Sequence, residues 1–201
     1  MKKIIFYYQT FTGLKPILYN KTPVTHIHLS SVHFGNNIDN TPYIHLNDYP
    51  PDNERFIDVW KELDIASKQH GIKIILMVGG AGGAFNDLFN NFDVYYPMLK
   101  KTIETYNVIE GIDLDIEEYV SLENVKMLIN KINSDFGSEF IISMAPVQSS
   151  LQDNNPGLGG FVYKDLYNSK EGLLIDYFNT QFYFDYSLES FTDIIDNGYP
   201  E

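Results

Sequence analysis

The sequence has no cysteine, few basic residues and no long hydrophobic run. Without cysteine no disulfide framework can form, and the redox compartment of the protein stays open. Lysine and arginine together number 14 against 27 aspartate and glutamate residues, which gives a formal net charge of -13 and a pI near 4.6. Because phosphate binding requires a basic surface, nucleic acid and anionic membranes are disfavoured as partners. Neutral or cationic ligands are more compatible with this charge.

No apolar run approaches the roughly 20 residues of a membrane-spanning helix. The chain begins with a short basic segment, but the apolar run after it is too short for a signal peptide and lacks a small-residue cleavage site. We therefore expect no membrane partner and a cytoplasmic location, with secretion open if the N-terminus is processed or export is non-classical. The sequence does not indicate an oligomeric state.

Short apolar strands alternate with amphipathic segments along the chain. Its 201 residues, 44% hydrophobic and 20% charged, suit one domain spanning residues 1–201. The predicted strands cover residues 4–8, 24–34, 72–78, 110–118, 140–144 and 174–183. Helical spacing predicts helices over residues 56–66, 93–107, 122–132, 163–168 and 188–197. Residues 35–53 have loop composition throughout.

This alternation, without a signal for chain reversal, predicts parallel βα units. Acidic, aromatic or glycine residues occur at the ends of nearly all the predicted strands. This distribution favours a (β/α) barrel over a doubly wound sheet, because a barrel collects the carboxyl ends of all its strands around one pocket. A complete eight-unit barrel usually needs about 250 residues. We therefore predict an α/β fold, a (β/α)8 TIM barrel that is incomplete, with about six units and the C-terminal two missing.

The acidic stretch Glu110–Glu118 is the strongest functional signal. On a strand, Asp113, Asp115 and Glu117 share one face, and the three aliphatic residues between them share the other. Burying three neighbouring carboxyls without a purpose would cost several kcal/mol. His26 and His28 would also share a strand face, but without a third ligand at an obvious spacing they are more often core residues than metal ligands.

Four segments together resemble glycoside hydrolase family 18, the chitinase family. The family signature Asp-Gly-x-Asp-x-Asp-x-Glu corresponds to Glu110–Glu117, and its Ser-x-Gly-Gly motif corresponds to Met77–Gly80. Met144-Ala145-Pro146 and Gln181-Phe182-Tyr183 resemble the hevamine-like, plant class III branch and its microbial relatives. The sequence differs from the family motifs at three positions. Glu110 replaces an aspartate, Met77 replaces a serine and so lacks its hydroxyl, and Ile116 replaces a common tryptophan.

The resemblance implies a role for each matching residue. Glu117 would protonate the glycosidic oxygen, and the substrate's own 2-acetamido oxygen would attack C1 in place of an enzyme nucleophile. Asp115 would orient the acetamido N–H, Tyr183 would hold the acetamido oxygen, and Asp113 would share a proton with Asp115. Substrate-binding positions implied in the same way are Gln181, Tyr7, Gly79, Gly80 and Met144.

The implied activity is retaining hydrolysis of β-1,4-linked N-acetylglucosamine in chitin or chitooligosaccharides, with no cofactor and no metal. The partner would be an oligo- or polysaccharide that contains N-acetylglucosamine. Three alternatives stay open: an endo-β-N-acetylglucosaminidase acting on N-glycan cores, a non-catalytic chitin-binding lectin, and a barrel enzyme that binds a hard metal ion through Asp113, Asp115 and Glu117.

Overall fold

The computed structural model describes residues 2–19, 23–152, 154–182 and 187–197. The chain divides into two compact units, Met1–Ile112 and Asp113–Glu201. The prediction of one domain over residues 1–201 stays a prediction. Within the described ranges, no helix is both long enough and apolar enough to cross a membrane.

The first unit is built on a parallel group of strands. Its strands are β1 (Ile5–Tyr8), β2 (His26–Asn36), β3 (Pro42–Leu46) and β4 (Lys73–Gly79). The first half of β2 lies between β1 and β4 and is parallel to both. Nearly every residue of β2 and β4 is buried, as expected for strands covered on both faces.

Residues 35–53, which have loop composition, include the end of one strand and the whole of another. β2 runs to Asn36, and β3 returns antiparallel along it, with Phe34 opposite Ile44. Alternation explains the strand, because Ile44 and Leu46 are buried while the residues beside them are not. Asn40 takes a positive φ of 61° in the turn, a conformation that asparagine tolerates better than most residues. A run of five residues was too short to stand out among the surrounding asparagines and prolines.

Helices of the first unit pack through one apolar face each. They are α1 (Lys15–Tyr19), α2 (Ile57–His70), α3 (Ala84–Asn90) and α4 (Phe92–Thr105). The predicted face of α2 is confirmed, since Val59, Leu63 and Ala66 are buried. Gly71 ends α2 in the left-handed conformation, with φ 67°, and its N–H bonds back to the last turn. The short helices α1 and α3 were not predicted, since neither is long enough to show periodicity.

The second unit carries the rest of the alternating pattern. β5 (Ile109–Asp115) begins in the first unit and ends in the second. The elements after it are α5 (Leu122–Phe136), β6 (Ile141–Met144), α6 (Tyr163–Tyr167), β7 (Tyr177–Phe178) and α7 (Leu188–Asn197). Ser121 caps α5 by accepting a hydrogen bond from the backbone N–H of Asn124 at 3.1 Å.

The sixth strand is much shorter than predicted. Instead of residues 174–183, only Tyr177–Phe178 pair regularly with β6, in parallel. Extended bonding does continue beyond it, because Asn179 and Gln181 donate from their backbone N–H groups to the carbonyls of Met144 and Pro146 at 2.8 Å each. Pro146 has no N–H to donate, so the regular ladder is interrupted there. Tyr183 lies outside the described residues.

Candidate active site

Two of the three predicted carboxylates lie on β5, and the third follows it. The strand ends at Asp115, so Glu117 stands outside it rather than on its face. Exposure rises along the segment, because Asp113 is 0% exposed, Asp115 is 6% exposed and Glu117 is half-buried. The segment therefore carries its acids from the protein interior towards the surface.

Asp113 is held by a hydroxyl that the sequence motif did not indicate. Ser143 on β6 is fully buried and donates from Oγ to Asp113 Oδ1 at 2.6 Å. A hydrogen bond also joins the side chains of Ser143 and Tyr177 on β7. Burial raises the pKa of Tyr177, so its hydroxyl stays protonated at neutral pH. A serine inside an otherwise apolar strand just before Met144-Ala145-Pro146 was the signal that could have identified this contact.

Asp115 is protonated at neutral pH. Burial is the main cause that raises the pKa of this carboxyl from the usual 3.8 to about 8, and the charges of Glu117 and Asp113 add to it. A hydrogen bond from Gln181 acts in the opposite direction, because it favours the charged form. Tyr163 is buried on α6. Its burial raises the pKa of its hydroxyl, and the nearby Asp115 and Asp113 raise it further.

The side-chain amide of Gln181 joins the two outer acids. Its Nε2 donates to Asp115 Oδ1 at 2.9 Å, to Glu117 Oε1 at 3.2 Å and to the carbonyl of Ala145 at 2.8 Å. The backbone of Gln181 is fixed as well, since its N–H donates to Pro146 and its carbonyl accepts from the N–H of Gln148. A rigid donor therefore sets the position of Asp115 relative to Glu117.

The other predicted site residues have separate surroundings. Met144 on β6 is fully buried, and its carbonyl accepts the N–H of Asn179, so in this structure its side chain belongs to the core. In the first unit, Tyr7 at the end of β1 is half-buried and meets the His28 ring edge-on, with 4.8 Å between ring centroids. Gly79 and Gly80, at the end of β4, have φ values of 98° and 79°, which glycine adopts without strain.

The second unit thus brings together four of the predicted site residues, namely Asp113, Asp115, Glu117 and Gln181. The structure adds three residues that were not predicted from the sequence, namely Ser143, Tyr163 and Tyr177. Over the described part of the chain, no group of three or more histidine, aspartate or glutamate side chains is arranged to hold a metal ion. In chemical terms, a proton held at Asp115 beside the half-buried carboxyl group of Glu117 suits proton transfer to a bound substrate.

Solved structures of similar proteins cover nearly the whole chain. The structure of chitinase ChiC from Aspergillus fumigatus matches with a TM-score of 0.88 and 32% sequence identity, over 99% of this chain and 74% of that one. A fungal endo-beta-N-acetylglucosaminidase from glycosyl hydrolase family 18 matches with a TM-score of 0.87 and 32% identity, over 100% of this chain and 75% of that one.

A third similar structure is more distant. The ICChI chitinase from Ipomoea carnea matches with a TM-score of 0.63 and 18% identity, over 98% of this chain and 75% of that one, which bears on the fold alone. No protein-family model matches the sequence, and no curated protein matches it either.

The similar structures confirm the predicted fold class, an α/β fold of the incomplete (β/α)-barrel type. Two fungal glycoside hydrolases match the chain at 32% sequence identity, and the chain spans about three quarters of their lengths. The resemblance drawn from the acidic motif is confirmed by the same matches: the chain belongs to glycoside hydrolase family 18.

Proposed function

We propose that this protein hydrolyses β-1,4-linked N-acetylglucosamine polymers, chitin or chitooligosaccharides, with retention of configuration and with Glu117 as general acid and base. The observation that carries the proposal is the contact of one amide, Gln181 Nε2, with both Asp115 and Glu117. This contact holds a carboxyl that is protonated at neutral pH beside the acid that would act on the glycosidic bond.

In the first step, the acetamido oxygen of the substrate attacks C1 while the bond from C1 to the leaving oxygen breaks. Glu117 gives its proton to that oxygen, and the sugar is left as a cyclic oxazolinium cation. In the second step, Glu117 takes a proton from water as the water attacks C1, and the ring opens again. Configuration at C1 is retained because it is inverted twice.

Asp115 and Asp113 have supporting roles in this scheme. Asp115 lies on the inner side of Glu117, where it would accept the acetamido N–H and stabilise the positive ring. Asp113 is deeper and accepts a hydrogen bond from the Ser143 hydroxyl, which fixes its carboxyl group. The proton on Asp115 could be shared with Asp113 as charge develops on the sugar.

The remaining site residues have proposed roles that rest on the resemblance. Tyr183 would hold the acetamido oxygen, and Tyr7, Gly79, Gly80 and Met144 would belong to the sugar-binding wall. For Met144 this role would be indirect, through the backbone position of Ala145 and Pro146, since its side chain is buried.

An endo-β-N-acetylglucosaminidase acting on N-glycan cores is the second candidate. The chain is as similar to the fungal enzyme of that activity, with 32% identity and a TM-score of 0.87, as it is to the chitinase, with 32% identity and a TM-score of 0.88. Both activities use a 2-acetamido sugar at the cleavage point, so the same carboxylates would serve either one.

The test compares the wild-type protein with Glu117→Gln and with Glu123→Gln. Glu123 is an exposed residue of α5 in an ion pair with Lys126, so its replacement is a matched control. We expect chitotetraose hydrolysis, followed by chromatography of the products, to fall by about a hundredfold or more in Glu117→Gln, the size typical of a lost general acid. Glu123→Gln should retain wild-type turnover.

Undiminished hydrolysis in Glu117→Gln would overturn the assigned role. The substrate class is tested on a high-mannose glycoprotein in parallel. Release of its glycan by the wild-type protein, with chitooligosaccharides left intact, would select the second candidate over chitin. Binding of chitotetraose without turnover of either substrate would instead indicate a lectin.

A further inference from the structure

Tyr119 is a large aromatic residue that is exposed beside the site. It follows Glu117 by two residues, and 78% of it is accessible to solvent, whereas Tyr163 in the same unit is buried. A single exposed aromatic residue is ordinary on a protein surface. The support beneath this ring is what distinguishes it.

Glycine backbone lies directly under the Tyr119 ring. A Cβ atom at Gly160 would overlap the ring atoms, so no larger residue fits at this position without displacing the ring. Gly160 also has a φ of 74°, a left-handed conformation that disfavours side chains. Next to it, the N–H of Val120 donates to the carbonyl of Gly159 at 3.0 Å, which ties the segment that follows Glu117 to this backbone.

The glycines belong to a closed turn that is anchored in the core. Pro156 and Val162 form an antiparallel bridge, and the N–H of Gly160 donates to the carbonyl of Gly157 at 2.9 Å. A Cβ at Gly159 would lie 2.6 Å from the ring of the buried Phe161 and 3.1 Å from Ile116, so this backbone packs closely behind the acids. One side of the Tyr119 ring therefore lies against the backbone of this turn, while most of its surface faces water.

Sugars of the chitin type present apolar C–H faces that stack on such rings, and a tyrosine side chain has few rotatable bonds to immobilise on binding. The order of residues indicates which sugar would be met. Exposure increases from Asp115 at 6%, which would serve the sugar that is cleaved, through the half-buried Glu117, which would reach the glycosidic oxygen, to Tyr119 at 78%. The sugar beyond the glycosidic oxygen is the leaving group.

We infer that Tyr119 is the stacking platform for the leaving-group sugar of the substrate. This inference rests on the proposed hydrolase function and adds a subsite to it. It predicts that the protein prefers chains that extend past the cleaved bond, because only these can cover the ring.

The experiment compares two substrates that differ in the leaving group. Chitohexaose has sugars on both sides of a cleaved bond, whereas the oxazoline of chitobiose is hydrolysed without any leaving-group sugar. For Tyr119→Ala we expect the ratio of kcat/KM on chitohexaose to kcat/KM on the oxazoline to fall about tenfold, with the loss mainly in KM, as for one lost aromatic contact. Tyr119→Trp should restore the ratio, because it supplies a flat ring again.

Tyr167→Ala is the matched control, since Tyr167 is a 40% exposed tyrosine of α6 in the same unit. Its ratio should equal that of the wild-type protein. A wild-type ratio in Tyr119→Ala, or an equal loss on both substrates, would overturn the stacking role while leaving the hydrolase function intact. Failure of the wild-type protein to turn over either substrate would overturn the proposed function and this inference with it.

Discussion

The buried proton on Asp115 makes a quantitative prediction about stability. In the folded protein the pKa of this carboxyl is about 8, against 3.8 for an ordinary aspartate. A raised pKa means that the group favours folding fully below 3.8, and that this contribution is lost as the pH rises towards 8. Each pH unit in this interval corresponds to about 1.4 kcal/mol, so the penalty at pH 7 is about 4 kcal/mol.

Replacing Asp115 with asparagine removes this penalty. The amide has nearly the shape of the protonated carboxyl, its oxygen can still accept from Gln181, and it carries no charge beside Glu117. We therefore expect Asp115→Asn to be more stable than the wild-type protein at pH 7, by up to about 4 kcal/mol, while losing activity. Near pH 4 the two proteins should be almost equally stable.

Urea unfolding followed by far-UV circular dichroism between pH 4 and pH 8 measures this difference. Asp165→Asn, an exposed aspartate of α6 in the same unit, is the control, and its stability should stay within about 0.5 kcal/mol of wild type at every pH. The reasoning is refuted if Asp115→Asn is no more stable than wild type at pH 8. A gain in stability that does not grow with pH would refute it as well.

Two further contacts give predictions of their own. Ser143→Ala removes the 2.6 Å hydrogen bond to the buried Asp113 and should lower the free energy of unfolding by roughly 1.5–3 kcal/mol in urea titrations; an unchanged unfolding midpoint would contradict this. The buried Glu171 accepts a hydrogen bond from Asn130 Nδ2 at 2.7 Å, and this bond holds the pKa of Glu171 below the usual 4.5. The bond therefore stabilises the folded protein fully above pH 4.5, and this stabilisation is lost as the pH falls through the folded-state pKa. Asn130→Ala should therefore melt at a lower temperature than wild type at pH 7, in calorimetry, and the difference should shrink in acid; a constant difference would indicate that the Glu171 charge is not involved.

Much of the fold could be predicted from local pattern. The long helices α2, α4 and α5 follow from apolar residues at helical spacing, β4 follows from a continuous aliphatic run, and β5 follows from alternating acidic and aliphatic residues. The burial of these elements is encoded in their own residue patterns, so their sequences predict them. The matched fungal structures then confirm the fold class that this alternation predicts.

Elements that depend on a neighbour could not be predicted in this way. β3 exists because β2 offers it a partner, and its five residues among prolines and asparagines resemble a loop. The sixth predicted strand is shortened because Pro146, two residues after the end of β6, cannot donate a hydrogen bond to the next ladder position. In both places the deciding hydrogen bonds come from residues distant in sequence.

The acidic stretch Glu110–Glu118 likewise combines features that the sequence specifies with features that only the fold specifies. The sequence by itself determined that Asp113, Asp115 and Glu117 alternate with aliphatic residues at the spacing of a known family motif, and it predicted a site there because three carboxyls are costly to bury without a use. Only the tertiary structure decided which of them holds a proton and what fixes them. Ser143 and Gln181 reach Asp113 and Asp115 from 30 and 66 residues away, and the pKa of Asp115 depends on how completely folding removes water from it. Burial and long-range hydrogen bonds are properties of the path of the chain in space, which residue spacing along the sequence does not specify.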